Sequence, residues 1–191
     1  MNIDIISYIN NLYFSNSQFR KVRLTHFYSD NKQLFNSVWY PSYEYDAPIL
    51  SIDLVNFGKN ALGKDRAMCF VNLIEIEKDK YTEPFIELKK RYPDLNETNL
   101  KPLLPYKDYL NDAILYSHIY DLNKFETIIP EALKEYFTMY LKTFKKTNNI
   151  DIVKEKHIEY NKFRAKKDLD FMTKDFFDPE WYCEMIKNYY K

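Results

Sequence analysis

At 191 residues with 46% hydrophobic side chains, the chain is long enough to bury one sizeable core and is read as one domain over 1–191. Its 28 basic and 28 acidic residues cancel, which removes any general attraction to nucleic acid or an anionic membrane. With two glycines, Gly58 and Gly63, and two cysteines, Cys69 and Cys183, the chain cannot form a GxGxxG or GxxxxGK[ST] nucleotide loop, a four-thiolate iron–sulfur site or a CxxC zinc site, so electrons for any redox chemistry are expected from another protein.

The opening MNIDIISYINNLYF lacks a basic leader with a continuous apolar run, and no later stretch approaches the roughly 20 apolar residues of a membrane span. A cytoplasmic location with reduced cysteines is expected. Gln33 to Tyr40 alternates with the two-residue period of a strand, placing Leu34, Asn36, Val38 and Tyr40 on one side, and Pro41 ends it. After the turn formers of PSYEYDAP, Ile49 to Phe57 forms a second strand with Ile49, Ser51, Asp53, Val55 and Phe57 on one face. An antiparallel hairpin across that loop pairs Tyr40 with Ile49 and sets Asn36 opposite Asp53. A short loop holding both glycines leads to a third strand, Ala67 to Ile76.

Helices are expected from Glu83 to Lys90, from Tyr106 to about Tyr116, and from Glu131 to Lys146, the last with Pro130 near its first turn and a core stripe of Leu133, Tyr136, Phe137, Tyr140, Leu141 and Phe144. Beyond a polar stretch, Lys154 to Lys166 and Met172 to Tyr190 read as helical on either side of Asp168. The pattern predicts an α/β fold with helices packed on an antiparallel sheet.

Asp53 is the most informative position, because its strand is otherwise built of Ile, Leu and Val, and carboxylates are rarely buried without a role or a partner. It is either a solvent-facing aspartate capped by Ser51 or a proton donor in an apolar pocket. Asn36 either satisfies neighbouring backbone or orients a ligand, and Asp168, in RAKKDLDF, suits an ordinary helix N-cap. His26, His118 and His157 are isolated and have no metal-ligand spacing. The basic clusters Lys89-Lys90-Arg91, Lys142 with Lys145-Lys146, and Lys162-Arg164-Lys166-Lys167 read as solvated helix faces, one of which could dock an acidic electron carrier.

The stretches FRKVRLTHF, QLFNSVWYPSYEYDAPILSIDLVNFG, RYPDLN and YNKFRAKKDLDFMTKDFFDPEW, in that order, resemble the ferredoxin-dependent bilin reductases. The most specific match is FNSVWYP followed by the D-x-P-I-L-x-I-D-L strand. The resemblance implies a three-layer α/β/α sandwich with a central antiparallel sheet and a bilin held between the sheet and the C-terminal helices. It also implies a monomer with no bound metal or organic redox cofactor, single electrons from reduced ferredoxin, bilin radicals as intermediates, and a downstream bilin reductase as a further partner. Its central catalytic aspartate maps onto Asp53, and its second, from the loop before the last helices, maps onto Asp168, with Asp170 in reserve because Leu169 stands where the family carries proline.

Members making phycocyanobilin carry histidine at the position of Asn36 and glutamate at that of Thr25, so that product is not expected. Asn36 with two aspartates instead resembles members acting at the C15=C16 methine bridge of biliverdin. Asp53 and Asp168 are then the proton donors, and Asn36, Ser51 and Val38 contact the substrate. Two-electron reduction to 15,16-dihydrobiliverdin is the first expectation. Four-electron reduction to phycoerythrobilin, a non-catalytic bilin carrier and a protein-interaction domain without a ligand are the alternatives.

Overall fold

The computed structural model describes residues 8–28, 32–75, 77, 80–98 and 107–175, with backbone alone at 8–11 and 168–175. In chain order the strands are β1 (Tyr8–Phe14), β2 (Phe19–Tyr28), β3 (Gln33–Pro41), β4 (Tyr45–Asp46), β5 (Ile49–Lys59) and β6 (Asp65–Ile74). Helix α1 (Thr82–Lys90), β7 (Leu115–Ile119), α2 (Leu122–Leu141), β8 (Lys145–Lys146) and α3 (Ile150–Asp175) follow. One six-stranded sheet has the order β1-β2-β3-β5-β6-β7, and β4 pairs apart with β8. Every pairing is antiparallel, as the alternating strands and short loops predict. The register of β3 on β5 is the expected one: Trp39 faces Leu50 and Asn36 faces Asp53.

Alternation gives the sheet two different faces. On one, Val22, Leu50, Ile52, Ala67, Cys69, Val71, Leu73 and Leu115 join Phe85 and Leu88 of α1 and Ile129, Ala132, Tyr136 and Tyr140 of α2 in one continuous core. Aromatic rings bind the layers together: Phe85 meets Tyr136 with centroids 4.6 Å apart, and Trp39 meets Phe137 at 4.7 Å. On the opposite face Val38, Tyr40, Ile49 and Ile74 pack against Tyr160 of α3. Phe70, Ile114 and Tyr116 form a third cluster at the β7 side. Among the described residues, no helix is long and apolar enough to cross a membrane.

The helices depart from the sequence expectation in three places. The stretch expected as a helix to Tyr116 keeps only one helical turn at 107–109 and then becomes β7, while Tyr106 lies outside the described residues. Asn111 causes the switch, because its Oδ1 accepts from the Ala113 N–H at 3.0 Å and diverts the backbone from a helical ladder. Helix α2 begins nine residues earlier than expected, 122 against 131, behind Asp121, whose side chain caps the Asn123 N–H. Pro130 therefore sits inside the helix. The same helix stops at Leu141, where Thr143 donates from both N and Oγ1 to the Tyr140 carbonyl, and Lys145–Lys146 go on to pair with β4. Finally, α3 runs unbroken through Asp168 to Asp175, so Asp168 neither caps a helix nor lies in a loop. Residues 176–190 of the expected last helix are outside the described residues.

Candidate active site

The face of the sheet turned away from α1 and α2 carries polar side chains where a core face would carry aliphatic ones. One row across five strands reads Thr25, Asn36, Asp53, Phe70 and Tyr116. The next reads Arg23, Val38, Ser51 and Asn72. Arg23, Thr25, Asn36, Ser51 and Asn72 are all buried, and Asp53 is half-buried at the centre.

Three of these side chains are linked from strand to strand. An Arg23 guanidinium nitrogen donates to Asn36 Oδ1 at 2.7 Å, and Asn36 Nδ2 donates to Asp53 Oδ1 at 2.6 Å. A guanidinium only donates, so Arg23 dictates which end of the amide it meets. Asn36 must then turn its N–H₂ toward Asp53. The carboxylate is held at one oxygen while its half-exposed position keeps it reachable from the open face. Beside it, Ser51 Oγ and Asn72 Oδ1 are buried without a hydrogen-bond partner among the described residues, while Asn72 Nδ2 is anchored on the Tyr109 carbonyl at 2.7 Å. Buried polar atoms left unpaired are costly, and a cluster of them on one face marks where a polar ligand would supply the missing bonds.

The surrounding electrostatics are set by burial. Burial, with the Arg23 and Arg20 cations second, pushes the Lys21 ammonium down to about 8. On the reverse side of β6, burial first and the Asp53 charge second push the Cys69 thiol up to about 12, which leaves it an inert core group. Tyr116, at the β7 end of the Asp53 row, is pushed up to about 12 by burial and by Glu97.

Of the residues singled out from sequence, Asp53 and Asn36 are in direct contact, and Ser51 and Val38 lie in the adjoining row. Val38 is also part of the apolar cluster under Tyr160. The backbone of Asp168 and of Asp170 runs within α3, and their side chains fall outside the described residues. Arg23 and Asn72 were not singled out; Asn72, in CFVNLI, shows the signal that identified Asp53, a polar residue in an apolar strand, whereas Arg23 stands in the basic stretch RKVRLTHF and shows no such signal.

Comparison with known proteins agrees with this fold. The sequence profile of a family described as "Ferredoxin-dependent bilin reductase" matches residues 5–189. A 15,16-dihydrobiliverdin:ferredoxin oxidoreductase of Prochlorococcus marinus (strain MIT 9515) is 27% identical, the match covering 95% of this chain and 80% of that protein. Another of the same name from Nostoc punctiforme is 27% identical over 88% of this chain and 72% of its own length. Among solved structures, phytochromobilin synthase from tomato, in complex with biliverdin, superposes with a TM-score of 0.73, covering 95% of this chain and 68% of that one; at 15% identity it speaks for the fold.

Proposed function

Because this chain belongs to the ferredoxin-dependent bilin reductase family, and is thus an oxidoreductase that reduces a bilin at the expense of ferredoxin, we propose that it reduces biliverdin IXα at the C15=C16 methine bridge to 15,16-dihydrobiliverdin. The observation that carries this reading is the hydrogen-bonded chain Arg23–Asn36–Asp53, which presents one carboxyl group at the centre of a polar face of the sheet. The relatives' name, 15,16-dihydrobiliverdin:ferredoxin oxidoreductase, supports the choice of bond, and the pairing of Asn36 with an aspartate supports the acid chemistry.

In balance, two reduced ferredoxins each give one electron and two protons are taken up. The C15=C16 double bond becomes a single bond with one new C–H at each carbon. Asp53 begins as the acid that protonates the bilin, since a cationic tetrapyrrole accepts an electron more readily than a neutral one. A bilin radical follows the first electron, and Asp168, from α3, delivers the proton near C15 after the second. Asn36 cannot give up a proton under these conditions; it holds a lactam of the bilin and the Asp53 carboxyl in register. Ser51 and Val38 contact the bilin beside Asp53, with Ser51 Oγ gaining a partner that it lacks among the described residues.

The test is anaerobic turnover of biliverdin with ferredoxin and a reducing system, with the product identified by chromatography. A product stopping at 15,16-dihydrobiliverdin supports the proposal. Phycoerythrobilin would move the chain to the four-electron class, and bilin bound but unchanged would make it a carrier.

A further inference from the structure

A second polar cluster lies on the same side of the sheet, at the end where β3 turns toward β5. Strand β2 is bulged there: Phe19 faces Pro41 and Lys21 faces Tyr40, so Arg20 is the extra residue and turns its side chain toward Tyr40. The guanidinium carbon sits 4.7 Å from the centroid of the Tyr40 ring and 4.8 Å from that of Tyr43. The Tyr43 ring in turn lies 5.6 Å from the His157 ring on α3. Two titratable groups from distant parts of the chain therefore share one aromatic wall.

Neither has the hydrogen bonds its burial calls for. Arg20 Nε and one terminal nitrogen, and both ring nitrogens of His157, are buried without a partner among the described residues. No carboxylate pairs with Arg20 among those residues. Ring faces attract a cation from above but do not satisfy N–H donors lying in the guanidinium plane. Donors left unpaired there are costly, and an acceptor shared by the fork and the imidazole would offset that cost. His157 also lines a neighbouring cavity of about 270 Å³, whose other charged residues are Glu75, Asp108, Lys156 and Glu159 and which Arg20 does not line.

We propose that Arg20 and His157 form a binding site for a carboxylate group, with the Arg20 fork gripping its two oxygens and a neutral His157 N–H completing the contact. Before an anion enters, burial and then the Arg20 cation push the imidazole down to about 3, so the ring that meets it is neutral. A carboxylate can reach the site from two sources. One is a propionate arm of the tetrapyrrole, an assignment that rests on the bilin reading above. Asn36 and Tyr40 are four residues apart on β3, about 13 Å at the usual rise of a strand, a distance within the span of an open-chain tetrapyrrole and its arms. The other source is a small free dicarboxylate.

The experiment titrates biliverdin and biliverdin dimethyl ester into the full chain and into Arg20→Gln and His157→Phe, and measures the shift in melting temperature caused by succinate. If a propionate occupies the site, esterification weakens binding roughly tenfold in the parent chain and less than about twofold in either variant. If a free carboxylate does, acid and ester bind alike, and succinate raises the melting temperature of the parent but of neither variant. Should Arg20→Gln fail to fold, Arg20→Lys keeps the charge over both rings without the fork, and an intermediate response is expected. The proposal is overturned if acid and ester bind alike and succinate has no effect on the parent, or if the variants respond as the parent does. Failure of the bilin reading looks different: neither bilin binds, while the succinate shift and its loss in the variants persist.

Discussion

On the face covered by α1 and α2, strands β5 and β6 present Leu50, Ile52, Cys69, Val71 and Leu73; on the other face the same two strands present Ser51, Asp53, Phe70 and Asn72. Apart from the half-buried Asp53 both sets are buried, so burial alone does not separate them. What differs is how the buried groups are satisfied. The core face needs only close packing, whereas the site face holds a hydrogen-bonded chain ending on a carboxyl group and polar atoms without partners among the described residues. Stability should therefore reside chiefly in the first face and chemistry in the second.

The sharpest way to break that division is on the core face. Phe85 is fully buried against Tyr136, and Phe85→Ala should cost about 3–5 kcal/mol in chemical denaturation while leaving the kcat of the folded fraction unchanged. A fall in kcat without loss of stability would end the distinction. The reciprocal change is Arg23→Met, which removes a buried charge for a side chain of similar length. Its effect on turnover should be about tenfold, with KM little altered and a strongly non-additive cycle with Asn36→Ala, because both act through the orientation of one amide.

A third contrast is pH. The depressed imidazole of His157 is caused by burial and then by Arg20, and its pKa in the folded chain, about 3, lies below the ordinary 6.5. Between those values the unfolded chain binds the extra proton, so stability is full above about pH 6.5 and declines as pH falls toward 3. His157→Phe should flatten that slope in pH-dependent thermal unfolding, and an unchanged slope would assign it to other groups. The smallest effect is expected at Ser51→Ala: its hydroxyl has no partner among the described residues, so stability without ligand should move by less than about 1 kcal/mol while bilin affinity drops a few-fold. A loss of stability larger than that would mean the hydroxyl is already satisfied.

Much of this arrangement is legible in the sequence where the period is two and the loop is short. The strands containing Asn36 and Asp53 and the register that joins them follow from alternation about PSYEYDAP. Strand β2 hides its polar residues behind the bulge at Arg20, and β7 is only five residues long after a polar turn, so neither offered a clean period. The sequence reads as two helices on either side of Asp168 because an aspartate there suits an N-cap, whereas α3 runs through that position to Asp175. Arg23 is the instructive omission: in FRKVRLTHF it stands among other basic residues and shares its side of the strand with Lys21 and Thr25, so the sequence does not mark it as the other half of the hydrogen-bonded chain that ends on Asp53.

The most direct measurement is a stepwise, one-electron anaerobic reduction of the biliverdin complex of Asp53→Asn, followed by absorption and electron paramagnetic resonance. With Asp53 as the proton source, the variant binds biliverdin as the parent does, accumulates a bilin radical, and turns over about 10²- to 10⁴-fold more slowly. Turnover at the parent rate, or loss of bilin binding in a folded variant, would contradict that role and leave Asp53 as a structural member of the Arg23–Asn36 chain.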